Sequence, residues 1–143
     1  MLVHQILRSK PDEGVVTIAP GATIAQAAEL LSSRRIGAVI VSKDGDSPLG
    51  ILSERDYARK VVLLGRSSSD TPVGQIMSSP VITVSPTESI DDCMRVMTER
   101  RIRHLPVSQD GRVIGILSIG DLVKAVIDQQ RRTIEELEHY IHS

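Results

Sequence analysis

Gly50-Ile51-Leu52-Ser53-Glu54-Arg55-Asp56 is an apolar run that ends on a serine with an acid three residues on. The chain writes it again as Gly115-Ile116-Leu117-Ser118-Ile119-Gly120-Asp121. Working outward from this pair, the matches continue in order. Val41-Ser42-Lys43-Asp44-Gly45 answers Val107-Ser108-Gln109-Asp110-Gly111, and Arg34-Arg35-Ile36 answers Arg100-Arg101-Ile102. Val15-Val16-Thr17-Ile18-Ala19-Pro20 answers Val81-Ile82-Thr83-Val84-Ser85-Pro86. The lead-ins agree too, Val3-His4-Gln5-Ile6-Leu7-Arg8-Ser9 with Val73-Gly74-Gln75-Ile76-Met77-Ser78-Ser79. Self-similarity on this scale makes the chain a tandem of two units of about 60 residues.

Each unit reads in the same order. A β-branched run, 15–18 or 81–84, is ended by Pro20 or Pro86. Thr23 and Ser89 are hydroxyl caps with Gln26 and Asp92 three positions on, and behind them Ile24, Ala27, Ala28, Leu31 and Ile90, Cys93, Met94, Met97 fall at helical spacing. A strand (38–41; 105–107) meets a turn with Asp44-Gly45 or Asp110-Gly111, a hairpin signal, and a second strand (49–52; 113–117) leads to a helix beginning near Ser53 or Ser118. The expected organisation is α/β (α+β), strand-helix-strand-strand-helix twice. Its boundaries are 1–64, a polar linker 65–72, 73–127 and a C-terminal helix 128–143, in which Ile134, Leu137 and Ile141 share one face.

The 143 residues suit one compact body that needs no disulfide or metal staple. Lys plus Arg number 17 against 18 Asp plus Glu, a net charge of −1, and Phe and Trp are absent. That balance speaks against attraction to nucleic acid or an anionic membrane, and single-stranded binders lack their stacking platforms here. A single cysteine, Cys93, rules out an internal disulfide framework and a multi-thiolate zinc site. No apolar stretch approaches the ~20 residues of a membrane span, and the N-terminus lacks the pattern of a secretory signal. The expectation is a soluble, cytoplasmic protein without nucleic acid or membrane as partner.

Gly45-Asp46-Ser47-Pro48-Leu49-Gly50 imitates the start of a P-loop, yet Ile51-Leu52 stand where Lys and Ser/Thr are required. No nucleophile elbow or dinucleotide fingerprint occurs, so a non-catalytic role is expected. The duplicated Ser-x-x-Asp has two readings. It is a capping box, or it is a helix start whose hydroxyl and amides meet phosphate while the carboxylate one turn in accepts bonds from ribose hydroxyls.

These motifs together, with Arg101-Ile102-Arg103-His104-Leu105-Pro106-Val107, resemble the paired cystathionine β-synthase (CBS) domains, or Bateman module, of the small stand-alone type. The resemblance implies two βαββα repeats about a pseudo-twofold axis, with clefts for adenine nucleotides between them. AMP or NAD(H) lead as ligand, with ATP, ADP and S-adenosylmethionine as further candidates. Carried over by position, Asp56 and Asp121 each hold a ribose while Ser53 and Ser118 approach phosphate. Thr17 and Thr83 line the clefts, and Ile36, Gly37, Ala38 and Ile102 to Leu105, with Pro106 beyond, flank the base.

The family's basic pair falls on Arg103 and His104, where the first unit has Gly37 and Ala38. The two clefts are therefore expected to differ. Arg55 and Arg59 would add charge from the first unit. The resemblance further implies a homodimer through 53–64 and the tail helix, and an enzyme partner that reads ligand-driven changes in the angle between units. The alternative is a CBS-fold interaction module with empty clefts.

Overall fold

The computed structural model describes residues 1–10, 14–65 and 67–142; Arg66 in the expected linker and Ser143 at the tail's end lie outside them. Among these residues the first unit carries a three-stranded sheet of β1 (Thr17–Ile18), β2 (Ala38–Val41) and β3 (Gly50–Ser53). β1 runs parallel to β2, with Ile18 beside Val41, and β3 runs antiparallel to it, with Ala38 beside Ser53. The second unit pairs β4 (His104–Gln109) with β5 (Arg112–Ser118), antiparallel, through the two-residue turn Asp110-Gly111. Both turn residues have positive φ, 53° and 79°, the primed geometry that suits strand twist.

The strand expected at 81–84 is reduced to one parallel bridge, Val84 beside Val107. Position 106 supplies the reason. In the first unit Ile40 N–H donates to Val16 O at 3.4 Å, whereas the matching residue is Pro106, which has no N–H. Only Val84 N to Pro106 O and Ser108 N to Val84 O remain, at 3.0 and 2.9 Å.

Helices α2 (Ile24–Arg34) and α4 (Ile90–Arg100) begin as the caps require. Thr23 Oγ1 accepts from Gln26 N at 3.2 Å and Ser89 Oγ from Asp92 N at 3.1 Å. Of the periodic residues Ile24, Ala27, Leu31 and Ile90, Cys93, Met97 are buried, while Ala28 and Met94 stay half-buried. Both helices end on an arginine in the left-handed region, Arg35 at φ 53° and Arg101 at φ 55°. Glycine usually takes that position, and a side chain there costs on the order of 1 kcal/mol.

Packing exchanges the lead-ins. Helix α1 (Val3–Ser9) sends Val3 and Ile6 into the core of the second unit, among Val84, Ile90, Leu105 and Leu122. The 3₁₀ turn Val73–Gln75 sends Val73, with Ile76 after it, into the core of the first, among Ile24, Val39 and Leu52. The backbone repeats the exchange: Val3 N donates to Glu88 O at 2.9 Å, and Val73 N to Ala22 O at 2.8 Å. Glycines make room for it. A Cβ on Gly115 would meet Leu7 Cδ2 at 2.8 Å, and one on Gly50 would press on the Met77 sulfur. Each core is thus closed by a segment that precedes the other unit.

After Ser53 the chain makes α3 (Glu54–Asp56) and then a π-helical stretch, Tyr57–Val62. After Ser118 it makes α5 (Ile119–His142), 24 residues without interruption, so the second unit's last helix and the expected tail helix are one element. Leu122 and Ala125 hold α5 to the second core, and every residue from Gln129 to His142 is exposed. No helix among the described residues is long and apolar enough to cross a membrane.

Candidate functional site

Two clefts open between the units. The first, about 530 Å³, lies over the start of α3 and is lined from the first unit by Gly37, Ile51, Ser53, Glu54, Arg55, Asp56 and Arg59. From the facing side come Ser78, Ser79, Pro80, Ile82, Arg101, Ile102, Arg103, His104 and Pro106. Local structure sets these positions. Ser53 ends β3 and caps α3, its Oγ accepting from Asp56 N at 3.1 Å, while Asp56 Oδ2 accepts from Ser53 N at 3.0 Å. The capping-box reading is therefore realised, and it fixes the carboxylate at the cleft wall.

The other oxygen of Asp56 accepts from Ser78 Oγ at 3.1 Å and lies 3.6 Å from Lys60 Nζ. Opposite, the left-handed turn at Arg101 swings the chain so that 101–104 faces the first unit, and Arg55 donates to Arg101 O at 3.5 Å. Four arginines (55, 59, 101, 103) stand against two carboxylates (Glu54, Asp56), so the lining is net positive. Gly37 lets His104 come close: a Cβ there would sit 3.0 Å from the imidazole Nε2.

The second cleft, about 750 Å³, is lined by His4, Leu7, Arg8, Lys10, Gly14, Val15, Val16, Ile36, Ala38, Ile40, Pro86, Gln109, Ile114, Gly115 and Ile116. Among the described residues its lining has basic groups and no carboxylate. Asp121 is absent from its wall because Lys10 stands on it. Lys10 Nζ is 2.8 Å from Asp121 Oδ2 and donates to Ile116 O at 2.8 Å. Asp121 Oδ2 also accepts from Ser118 N at 2.8 Å, and Asp121 N donates to Ser118 Oγ at 3.1 Å, the same box as in the first unit.

The structure brings Ser53, Arg55, Asp56, Gly37, Ile102, Arg103, His104 and Pro106 to one cleft, and Ile36 and Ala38 to the other. Ser118 and Asp121 line neither. Nor do Thr17 and Thr83; beside them Val16 and Ile82 line a cleft each while packing against the cores. Leu105 is fully buried in the second core. Sequence reasoning missed Ser78, Ile82, Lys10 and Arg101, the last read only as a cation complementing the end of its helix. The lead-in match, extended past Ser9 and Ser79, sets Lys10 opposite Pro80 and would have flagged the difference.

Burial depresses the His104 pKa below its ordinary 6.5, against the pull of Asp121 and Glu54. The Asp121 carboxyl is raised by burial but lowered more by Lys10 and the Ser118 amide, for a net depression. In the first unit's hairpin loop the amides of Ser47 and Asp46, then the Ser42 hydroxyl, hold Asp44 at about 2. Burial, with Glu88 and Asp92, pushes the Cys93 thiol up to about 11, as befits an apolar filler.

Comparison with known proteins agrees with this architecture. The family model "CBS domain" matches twice, at residues 3–63 and 73–128. A solved CBS-domain protein of Burkholderia ambifaria is 50% identical, with TM-score 0.85 over 91% of this chain and 96% of that one. The mitochondrial CBS domain-containing protein CBSX3 of Arabidopsis thaliana is 42% identical over 83% of this chain, which spans 60% of that protein's length. A CBS domain protein of Pyrobaculum aerophilum, solved in complex with AMP, is 29% identical, with TM-score 0.75 over 85% of this chain and 89% of that one. The duplicated Ser-x-x-Asp motif, the exchanged lead-ins and the two inter-unit clefts thus have their explanation: the chain belongs to the CBS domain family.

Proposed function

We propose that this chain is a non-catalytic regulatory module that binds an adenine nucleotide in the Asp56 cleft and reports its level to a partner. One observation carries the reading: a carboxylate, a helix start, His104 and four arginines drawn from both units converge on one cleft of about 530 Å³. That size lies within the roughly 300–1,000 Å³ of small-molecule sites. Asp56 accepts bonds from vicinal ribose hydroxyls once Ser78 rotates away. The start of α3, with Arg55, Arg59, Arg101 and Arg103, meets the phosphate, where charge-assisted bonds are strongest. Ile82, Ile102 and Pro106 give the base an apolar seat.

AMP leads as ligand, supported by the AMP complex of the Pyrobaculum relative. NAD(H), ATP, ADP and S-adenosylmethionine follow. A ligand held by residues of both units fixes the angle between them, and only a difference in affinity between two such angles can signal. The chain acts in the cytoplasm as a homodimer, and an enzyme partner reads the change. The test is a thermal-shift panel of these nucleotides. A ligand at about 100 times its Kd adds about 2.7 kcal/mol, so a clear rise in Tm with AMP, lost in Asp56→Ala, is expected. If none of the panel moves the transition, the clefts are empty and the chain is an interaction module.

A further inference from the structure

The exposed part of α5 carries a pattern that neither the core nor the clefts use. Val123, Ile127, Ile134, Leu137 and Ile141 are 44, 44, 54, 57 and 74% exposed, with Gln130 among them. Their spacing is that of a heptad seam, with Ile127, Ile134 and Ile141 at a and Val123, Gln130 and Leu137 at d. The side held by the second unit, Leu122, Ala125 and Val126, falls at c, f and g, behind the seam. A seam about 28 Å long at 1.5 Å per residue therefore faces away from the body. A helix segment that stands out from its domain this way is marginal in water without a partner.

We propose that this seam is a self-association surface on which the same seam of a second copy lies parallel, with Gln130 against the partner's Gln130. In a parallel pair, isoleucine at a with leucine at d, as at Ile134 and Leu137, favours two strands over three or four. A polar residue within the seam decides the direction. In a parallel pair the two Gln130 amides meet, and each can donate to and accept from the other. In an antiparallel pair a packs against d, so Gln130 would face the partner's Ile134 or Ile141 with its amide unpaired.

The antiparallel pair gains something in exchange, since Arg131 and Glu138 at e positions then approach. Exposed ion pairs move association only about two- to fivefold, whereas an unpaired buried amide costs on the order of ten- to a hundredfold. The parallel pair also sets Val126 beside the partner's Arg131 and Thr133 beside the partner's Glu138, so no like charges oppose across the seam. A lipid surface suits the seam less. The polar residues from Lys124 onward comprise three cations, Lys124, Arg131 and Arg132, against four acids, Asp128, Glu135, Glu136 and Glu138. Interfacial helices instead carry a basic polar face.

The inference rests on the homodimer reading above and narrows it to one surface. Sedimentation equilibrium of the full chain at micromolar concentration should give twice 15.6 kDa. The double substitution Ile134→Glu with Leu137→Glu, both on the exposed face, should weaken the dimer at least a hundredfold and leave the melting transition of the body in place. Direction is read by Ile134→Cys, since a-position cysteines meet in a parallel pair and Cys93 is buried. Mild oxidation should join that variant to itself. A monomeric wild type overturns both the dimer and the surface. A dimer that survives the double substitution overturns the surface alone and points to the other exposed apolar patch, Val62 to Leu64. Cross-linking only between mixed Ile134→Cys and Leu137→Cys chains, with none from either alone, overturns the parallel arrangement.

Discussion

The two clefts descend from one motif written twice, and what separates them is a residue in a lead-in. Ser53-x-x-Asp56 and Ser118-x-x-Asp121 form the same capping box to within a few tenths of an ångström. Yet Asp56 lines an open cleft, with Ser78 and Lys60 at its second oxygen, whereas Asp121 lies under Lys10 and lines neither cleft. Position 80, which answers Lys10, is a proline and brings no charge. The comparison teaches that a capping box and a ligand site are compatible, and that what else reaches the carboxylate decides the difference: Ser78 and Lys60 lie at the second oxygen of Asp56, whereas Lys10 lies at the oxygen of Asp121 that the Ser118 amide already uses. Lys10 and Ser78 both come from the exchanged lead-ins and not from the motif.

The comparison breaks most sharply at the acids. Asp56→Ala should weaken AMP about a hundredfold, roughly 2.7 kcal/mol, while Asp121→Ala should change it less than about threefold. Competition against a fluorescent nucleotide measures both, and equal losses would erase the distinction between the clefts. Next in size is the covering residue. Lys10→Ala should uncover Asp121 and add a second, weaker nucleotide per chain, seen as a second phase in binding. Its effect on stability should be about 1 kcal/mol or less, because the Lys10–Asp121 bridge is 33% and 23% exposed and partly screened.

Packing of the exchanged lead-ins supplies a third comparison. Gly50→Ala and Gly115→Ala should each cost about 1–3 kcal/mol by urea unfolding, from overpacking on Met77 and Leu7. Gly21→Ala, with nothing within 4 Å of its Cβ, should cost under about 0.5 kcal/mol. The smallest effect is that of pH. A half-buried His104 with a lowered pKa leaves the unfolded chain binding the extra proton first, so its neutral state contributes stability that is lost as pH falls below 6.5. A phosphate beside it reverses the preference. AMP should therefore bind up to severalfold tighter at pH 6 than at pH 8, and His104→Gln should flatten the profile. On the acid side, the depressed Asp121 carboxyl contributes stability above its ordinary 3.8 that is lost as pH falls through its folded pKa. Lys10→Ala should shrink that loss.

Local signals were legible in the residues. The caps at Thr23, Ser89, Ser53 and Ser118 formed, and the helical apolar stripes became core. What was not legible depends on partners distant in the chain. Lys10 and Asp121 are 111 residues apart, and nothing near either announces the other. The exchange of lead-ins is equally hidden, because Val3 and Val73 occupy equivalent places whichever unit they close. The lost strand at 81–84 could have been read from Pro106, which lies opposite it in the ladder. Thr17 and Thr83 were matched by position, and neither lines a cleft, whereas their neighbours Val16 and Ile82 do. The seam of α5 was visible as a stripe, but its continuity with the second unit's last helix was not.

The most direct measurement is titration calorimetry with AMP on the wild-type chain beside Asp56→Ala and Asp121→Ala. The account predicts one AMP per chain for the wild type and for Asp121→Ala, and for Asp56→Ala a site weakened about a hundredfold. No heat with the wild type, or a site that persists in Asp56→Ala and vanishes in Asp121→Ala, would contradict it.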